Sequence, residues 1–170
     1  MPKIVAVVGG KHSGKTTVVE HLIAELKSRK YQVATIKEMV RIPTLDTPAT
    51  ETDRYTRAGA EIVVAVPREE TVVFIKKRLA IKDILPHLAV VDYAILEGFE
   101  HERDLPRIIA AKTADEAKKY FDSNAIAVSG LIMESEEEKK KAKVFQLPML
   151  NSLTQTKELA DLVEQKGITA

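Results

Sequence analysis

Val7-Val8-Gly9-Gly10-Lys11-His12-Ser13-Gly14-Lys15-Thr16-Thr17 is the stretch that decides the fold of this chain. Gly9 and Gly14 bracket four residues and lead into Lys15-Thr16, the spacing of a phosphate-binding loop. The preceding run, Ile4-Val5-Ala6-Val7-Val8, is apolar and rich in β-branched residues, as a buried strand requires. Thr17 through Lys27 reads as an amphipathic helix. Strand, glycine-rich loop and helix therefore follow one another in the order that a nucleotide phosphate site needs.

Each loop residue has a physical task. Gly9 and Gly14 can take backbone angles closed to residues with a Cβ, so the chain can wrap a phosphate closely. The wrapped amides make an anion-binding concavity, reinforced by the positive end of the following helix. Lys15 is expected to reach the β- and γ-phosphate oxygens and the Thr16 hydroxyl to ligate Mg²⁺. Ser13 and Thr17 add donors on the α-phosphate side. The expected phosphate-binding set is thus Gly9, Gly10, Lys11, His12, Ser13, Gly14, Lys15, Thr16 and Thr17. Within it, His12 is read as an exposed loop residue near the nucleotide, not a catalytic group. The second lysine that some dimeric P-loop ATPases carry would fall at Gly10, which argues against the partitioning-ATPase class.

The whole chain sets wider bounds. Its 170 residues suit a single domain, 1–170, large enough to bury a core. With a net charge of +1, no general attraction to nucleic acid or anionic membrane is expected. Aromatics are few and not interleaved with basic residues, against single-strand nucleic-acid binding. No apolar run approaches the roughly 20 residues that span a bilayer. The chain enters its first strand at once, leaving no room for a signal peptide, and it has no cysteine. A cytoplasmic protein without disulfides or thiolate metal sites is expected.

The remaining elements extend the pattern. Gln32–Lys37 reads as a strand, followed by a polar, aperiodic segment from Glu38 to Thr52 that holds Pro43 and Pro48. Loops of such length are often functional. A short helix is expected over Asp53–Ala58, stopping at Gly59. Ile62–Val66 and Thr71–Ile75 read as a hairpin turning at Pro67-Arg68-Glu69-Glu70. A short helix over Ile81–His87 precedes strands at Tyr93–Leu96, Arg107–Ala111 and Ala125–Ser129. Further helices are expected at Asp115–Phe121, Glu134–Lys143 and Thr154–Gln165, with a last short strand at Val144–Leu147. Alternation of this kind predicts an α/β fold: a mainly parallel sheet with helices on both faces, in P-loop NTPase form with an added β-hairpin.

A phosphate loop needs carboxylate help with its metal. Glu97 falls at the C-terminal end of the Tyr93 strand, the sheet edge where the P-loop also lies. It is expected to act in catalysis with Lys15, holding Mg²⁺ through water or orienting the attacking water. Asp92 stands at the other end of that strand, roughly 15 Å away at about 3.3 Å per residue, and reads as structural. Asp46, on the long loop, is a rival metal ligand. Lys37, ending the second strand, either reaches the phosphates or is merely solvated. His21, His87 and His101 have no metal-ligand spacing.

Taken together, these segments resemble the molybdopterin-guanine dinucleotide biosynthesis protein B family, MobB. The resemblance runs along most of the chain: the P-loop with Lys15-Thr16-Thr17, Val33-Ala34-Thr35-Ile36-Lys37, Asp46-Thr47-Pro48, Arg54, and Ala58-Gly59-Ala60. Its most specific part is Asp92-Tyr93-Ala94-Ile95-Leu96-Glu97-Gly98-Phe99 with His101-Glu102, then Pro106-Arg107-Ile108. It implies a homodimer that binds GTP with Mg²⁺, hydrolyses it weakly, and assists the molybdenum cofactor guanylyltransferase that attaches GMP to molybdopterin. One region departs from the family pattern. Where the family has a histidine and then a Pro-Gly-Lys-Asp-Ser-like segment, this chain has Glu38, Met39-Val40-Arg41 and Pro48-Ala49-Thr50-Glu51-Thr52.

The Asn-Lys-x-Asp signature that reads guanine in many GTPases does not occur, so guanine preference rests on the resemblance. Base contacts are expected near Ser129-Gly130. Three functions remain open at this level. The first is an accessory GTPase of cofactor maturation, slow because no arginine finger is evident unless Arg54 or Arg57 serves, within the chain or across a dimer. The second is a small-molecule kinase using the 38–60 loop as acceptor site. The third is a metal-delivery adaptor switched by nucleotide.

Overall fold

A computed structural model describes residues 1–40, 42 and 44–169. Arg41 and Pro43, placed by the sequence in the long loop, lie outside the described residues. In chain order the elements are β1 (Lys3–Val8), α1 (Lys15–Ser28), β2 (Val33–Lys37), α2 (Glu51–Arg57), β3 (Ile62–Ala65), β4 (Val72–Ile75) and α3 (Ile81–Ile84). They continue with β5 (Tyr93–Glu97), β6 (Arg107–Ala110), α4 (Ala114–Tyr120), β7 (Ala125–Ser129), α5 (Glu136–Ala142), α6 (Thr156–Lys166) and β8 (Ile168–Thr169). The chain divides into two compact units, one of Met1–Glu38 with Leu85–Ala170 and one of Met39–Ile84.

The first unit is built on a sheet ordered β2-β5-β1-β6-β7, parallel throughout, with β8 added antiparallel to β1. Every residue of β5 is buried, as expected of a parallel strand covered on both faces. On one face, Val5 and Val7 meet Val18, Leu22 and Leu26 of α1 and Leu159 and Val163 of α6. Each such buried leucine contributes about 2 kcal/mol. Because side chains alternate along a strand, Ala127 joins that core while Val128 packs with Ala114, Ile132 and Ala142 on the other face. The expected α/β fold, with helices on both faces of a mainly parallel sheet, is the observed one.

Several boundaries differ from expectation. α1 begins at Lys15 instead of Thr17, because Gly14 already takes the left-handed turn (φ 93°) that launches it. The helix expected over Ile81–His87 stops at Ile84 and continues as a 3-10 turn, Leu85–Leu88. Pro86 has no amide to extend the α-helical ladder. Val144–Leu147 is not a strand: Lys143–Phe145 forms a 3-10 turn that ends at Gln146 in left-handed geometry. The chain reaches the sheet only afterwards, where Val128 N donates to Pro148 O and Leu150 N to Val128 O. β8 was not visible in the sequence. It fits because β6 pairs with β1 only from Ala6 onward, which leaves Lys3 and Ile4 open to Thr169 and Ile168.

Arg107 is a charge inside this unit. Its side chain is 1% exposed, ion-paired with Asp122 at 3.2 Å, and its Nη2 donates to Glu102 O at 2.6 Å. Burial pushes its guanidinium below the usual arginine range, opposed by the Asp122 carboxylate. Arg107→Met is expected to cost about 2–4 kcal/mol in urea unfolding, since Asp122 is left without its inner partner. A change under about 0.5 kcal/mol would show that solvent screens the pair already.

The second unit carries the hairpin. β3 and β4 pair antiparallel in the register Ile62↔Ile75 and Val64↔Val73, as a two-stranded sheet of their own. Val63 is buried, whereas Ile62, Val64 and Val73 are exposed on the other face. Thr50 caps α2 by accepting the Asp53 amide, so this helix starts two residues before the sequence suggests. Among the described residues, no helix is long and apolar enough to cross a membrane.

Candidate nucleotide-phosphate site

The loop from Gly9 to Gly14 joins β1 to α1 through a run of uncommon backbone angles. Gly9 (φ 149°), His12 (φ 58°) and Gly14 (φ 93°) all turn the chain the way L side chains disfavour. Gly9 has no substitute, because a Cβ there would stand 1.9 Å from Ala110 O. The loop is braced from outside as well. Lys112 Nζ donates to Lys11 O at 3.1 Å, Leu131 N donates to Ser13 O at 3.1 Å, and the Glu116 carboxylate lies against Gly10. Glu116 is itself held there by the Lys112 amide at 2.6 Å.

Inside the loop, Lys15 Nζ donates to Gly9 O at 2.7 Å and to Gly10 O at 2.6 Å. Burial pushes the Lys15 ammonium below its ordinary value, opposed by the Glu97, Glu100 and Glu116 carboxylates, while nearby Lys37 pushes the same way as burial. An ammonium desolvated in this manner gains from an added anion. The Thr16 hydroxyl, in the first turn of α1, donates at 2.8 Å to Glu97 Oε1 at the end of β5. Lys37 Nζ lies 3.0 Å from the same Glu97 oxygen. Ser13 is buried at 1% exposure, and its hydroxyl has no hydrogen-bond partner among the described residues.

A depression of about 330 Å³ is lined by Lys11, His12, Ser13, Gly14, Lys15, Thr16, Thr17 and Glu97. The structure thus gathers most of the residues singled out in the sequence around one open cradle. Its donors — backbone amides, an ammonium and hydroxyls, with one carboxylate beside them — suit a polyphosphate and a small hard cation. Among the described residues, no group of three or more acidic or histidine side chains is placed to hold a metal alone. A cation here would therefore share Thr16 and Glu97 with phosphate oxygens.

The other sequence candidates have partners of their own. Asp46 belongs to the second unit, where Lys76 Nζ lies 2.9 Å from Oδ2 and the Thr52 hydroxyl donates to Oδ1 at 2.8 Å. Both contacts hold its carboxyl below the usual carboxylate range, Lys76 most strongly. Arg57, in the same unit, is ion-paired with Asp53 at 2.9 Å. Asp92 accepts the Gln32 amide at 2.7 Å, the structural role expected of it. Ser129 is buried and donates its hydroxyl to Leu150 O at 2.6 Å, so it backs the sheet where a base contact was expected. Gly130 lies beneath the phosphate loop, its Cα 3.3 Å from a Cβ built on Gly14.

Sequence reasoning missed the bracing by Lys112, Glu116 and Gly130, and the role of Glu38. The Glu38 carboxylate accepts the Phe99 amide at 3.1 Å, and Glu38 N donates to Glu97 O at 3.0 Å. A glycine directly after a core strand was the available signal for Gly130. No signal existed for the others, which depend on strand order.

Comparison with known proteins follows the same lines. The family model for molybdopterin guanine dinucleotide synthesis protein B, MobB, matches residues 4–132. A curated protein of Methanocaldococcus jannaschii, provisionally named a molybdopterin-guanine dinucleotide biosynthesis adapter protein, is 31% identical over 131 residues. That match covers 74% of this chain and 54% of the relative, so the chain spans about half the length of the curated relative it matches. Among solved structures, Bacillus subtilis MobB superposes with a TM-score of 0.74 at 18% identity, covering 99% of both chains. A MobB homologue from Bacillus stearothermophilus gives a TM-score of 0.63 at 18% identity, covering 95% of this chain and 96% of that one. At that identity, the two structures show a shared fold.

Proposed function

The chain belongs to the molybdopterin guanine dinucleotide synthesis protein B family, MobB, and from that premise we propose that it is a GTP-binding adapter of molybdenum cofactor maturation. It assists a guanylyltransferase in forming molybdopterin guanine dinucleotide, works as a homodimer in the cytoplasm, and hydrolyses GTP weakly with Mg²⁺. The observation that carries this reading is the meeting of Lys15, Thr16 and Glu97 at one phosphate-sized cradle. The exposed apolar face of the hairpin, with Ile62, Val64 and Val73, supports the dimer.

In this function the loop amides and Lys15 bind and orient the β- and γ-phosphates. Thr16 and Glu97 would hold Mg²⁺, which when bound would neutralise charge on those phosphates. Glu97 also orients the attacking water from a fixed position at the end of β5. Lys15 gives up its two loop carbonyls in exchange for phosphate oxygens, stronger acceptors because they are charged.

Calorimetry with GTP and ATP, each with Mg²⁺, tests the reading. GTP is expected to bind at least about tenfold tighter, a difference of about 1.4 kcal/mol. Tighter ATP binding would overturn guanine preference, and ADP formation strictly dependent on an added acceptor would favour the kinase function. Capture of purified guanylyltransferase by the full chain tests the adapter role.

A further inference from the structure

β2 and β5 pair in parallel with Lys37 directly beside Glu97. Glu97 is 10% exposed at its side chain, whereas Lys37 is 50% exposed. A carboxylate so far withdrawn from water needs a cation, and here Lys37 supplies it at 3.0 Å. The same oxygen, Oε1, accepts the Thr16 hydroxyl. That places the Lys37 ammonium two hydrogen-bond lengths from the residue that would share a metal with Glu97. Lys37 is thus tied to the one carboxylate that lines the cradle.

The surroundings fix the backbone and leave the lysine side chain free to move. Glu38 N donates to Glu97 O, and the Phe99 amide donates to the Glu38 carboxylate at 3.1 Å. Gly98 (φ 94°) and Phe99 (φ 54°) complete a tight turn that this pair of bonds holds in place. Strand ends so clamped do not shift. The half-exposed Lys37 stem, with its long flexible chain, can.

We propose that Lys37 is a second phosphate-reading cation, held on Glu97 in the nucleotide-free chain and passed to the terminal phosphate when a nucleoside triphosphate and its metal arrive. The inference rests on the nucleotide reading above. A divalent cation on Thr16 and Glu97 displaces an ammonium from the shared oxygen, because two cations compete for one charge. The displaced amine is then available to the γ-phosphate, a charged acceptor. A nucleoside diphosphate lacks that group, so Lys37 separates triphosphate from diphosphate. Lys15, which exchanges its loop carbonyls for phosphate oxygens, contacts both.

The test compares the full chain with Lys37→Met and Lys37→Arg, titrated with GTP and with GDP in the presence of Mg²⁺. Lys37→Met is expected to lower GTP affinity about tenfold more than GDP affinity, the loss of one charge-assisted hydrogen bond. Lys37→Arg, which keeps a cation, is expected to retain most of the preference. The Mg²⁺ concentration needed for half-maximal GTP binding should fall several-fold in Lys37→Met, because the competitor on Glu97 is gone. Side-chain amine resonances give a second readout: the Lys37 signal should move on adding GTP with Mg²⁺ to a position distinct from the one it takes with GDP and Mg²⁺. Equal losses for the two nucleotides, or a Lys37 signal unmoved by GTP, would overturn the proposal and leave GTP binding standing. Failure of the unmodified chain to bind either nucleotide would overturn both.

Discussion

Lys15→Ala is expected to weaken binding of GTP with Mg²⁺ by at least about a hundredfold, roughly 3 kcal/mol, while urea stability changes by no more than about 1 kcal/mol. The asymmetry follows from the geometry. In the nucleotide-free chain Lys15 donates to two carbonyls, Gly9 O and Gly10 O, that border an open depression. Water can take the place of the ammonium there, so folding loses little. A bound triphosphate has no such substitute, because its β- and γ-oxygens need a cation in that position and water supplies none. Lys15 is also disfavoured as a charge by burial, so its removal relieves a cost in the empty site. Calorimetry together with urea unfolding checks both halves. Affinity within about threefold of the unmodified chain would remove the cradle as the nucleotide site.

How much of this was readable beforehand depends on the range of the interaction. The phosphate loop, its strand and its helix are local, and the spacing of Gly9, Gly14, Lys15 and Thr16 announced them. Glu97 was readable one step further out. A buried parallel strand with a carboxylate at its C-terminal end has few places to go, and Thr16 Oγ1 meets Glu97 at 2.8 Å. The pairing of Lys37 with Glu97 required knowing that β2 lies next to β5, a neighbour relation no local pattern encodes. The strand expected at Val144–Leu147 failed for a related reason. Three of its four residues are apolar, but Gln146 adopts φ 53° and turns the chain before Pro148 brings it to β7. Asp46 was the least readable of the candidates. A lone carboxylate on a long loop looks the same in sequence whether it serves a metal or, as the second unit has it, Lys76 and Thr52.

Gly130→Ala extends that argument to a residue more than a hundred positions from the loop it supports. It is expected to destabilise the chain by about 3 kcal/mol or more and to reduce GTP affinity at the same time. A Cβ at Gly130 would stand 2.3 Å from Ser13 O, 3.0 Å from Ala111 N and 3.2 Å from Ala110 Cα. All three are backbone atoms of the phosphate loop and of the end of β6, so no flexible side chain can give way. The residue also sits at φ +85°, where any side chain adds strain. Its neighbours hold it in place, through Leu131 N on Ser13 O at 3.1 Å and Ile132 N on Ala111 O at 2.7 Å. Relief therefore has to come from moving Ser13, and with it the curvature of the cradle. Gly59→Ala separates strain from collision. Gly59 has φ +109° with nothing among the described residues within 4 Å of its added Cβ, so that variant should cost only about 1 kcal/mol in the same urea titration. Equal costs for the two variants would mean that backbone strain accounts for everything and that Gly130 does not brace the loop. A Gly130→Ala protein unchanged in GTP affinity would mean that Ser13 O can retreat without disturbing the phosphates.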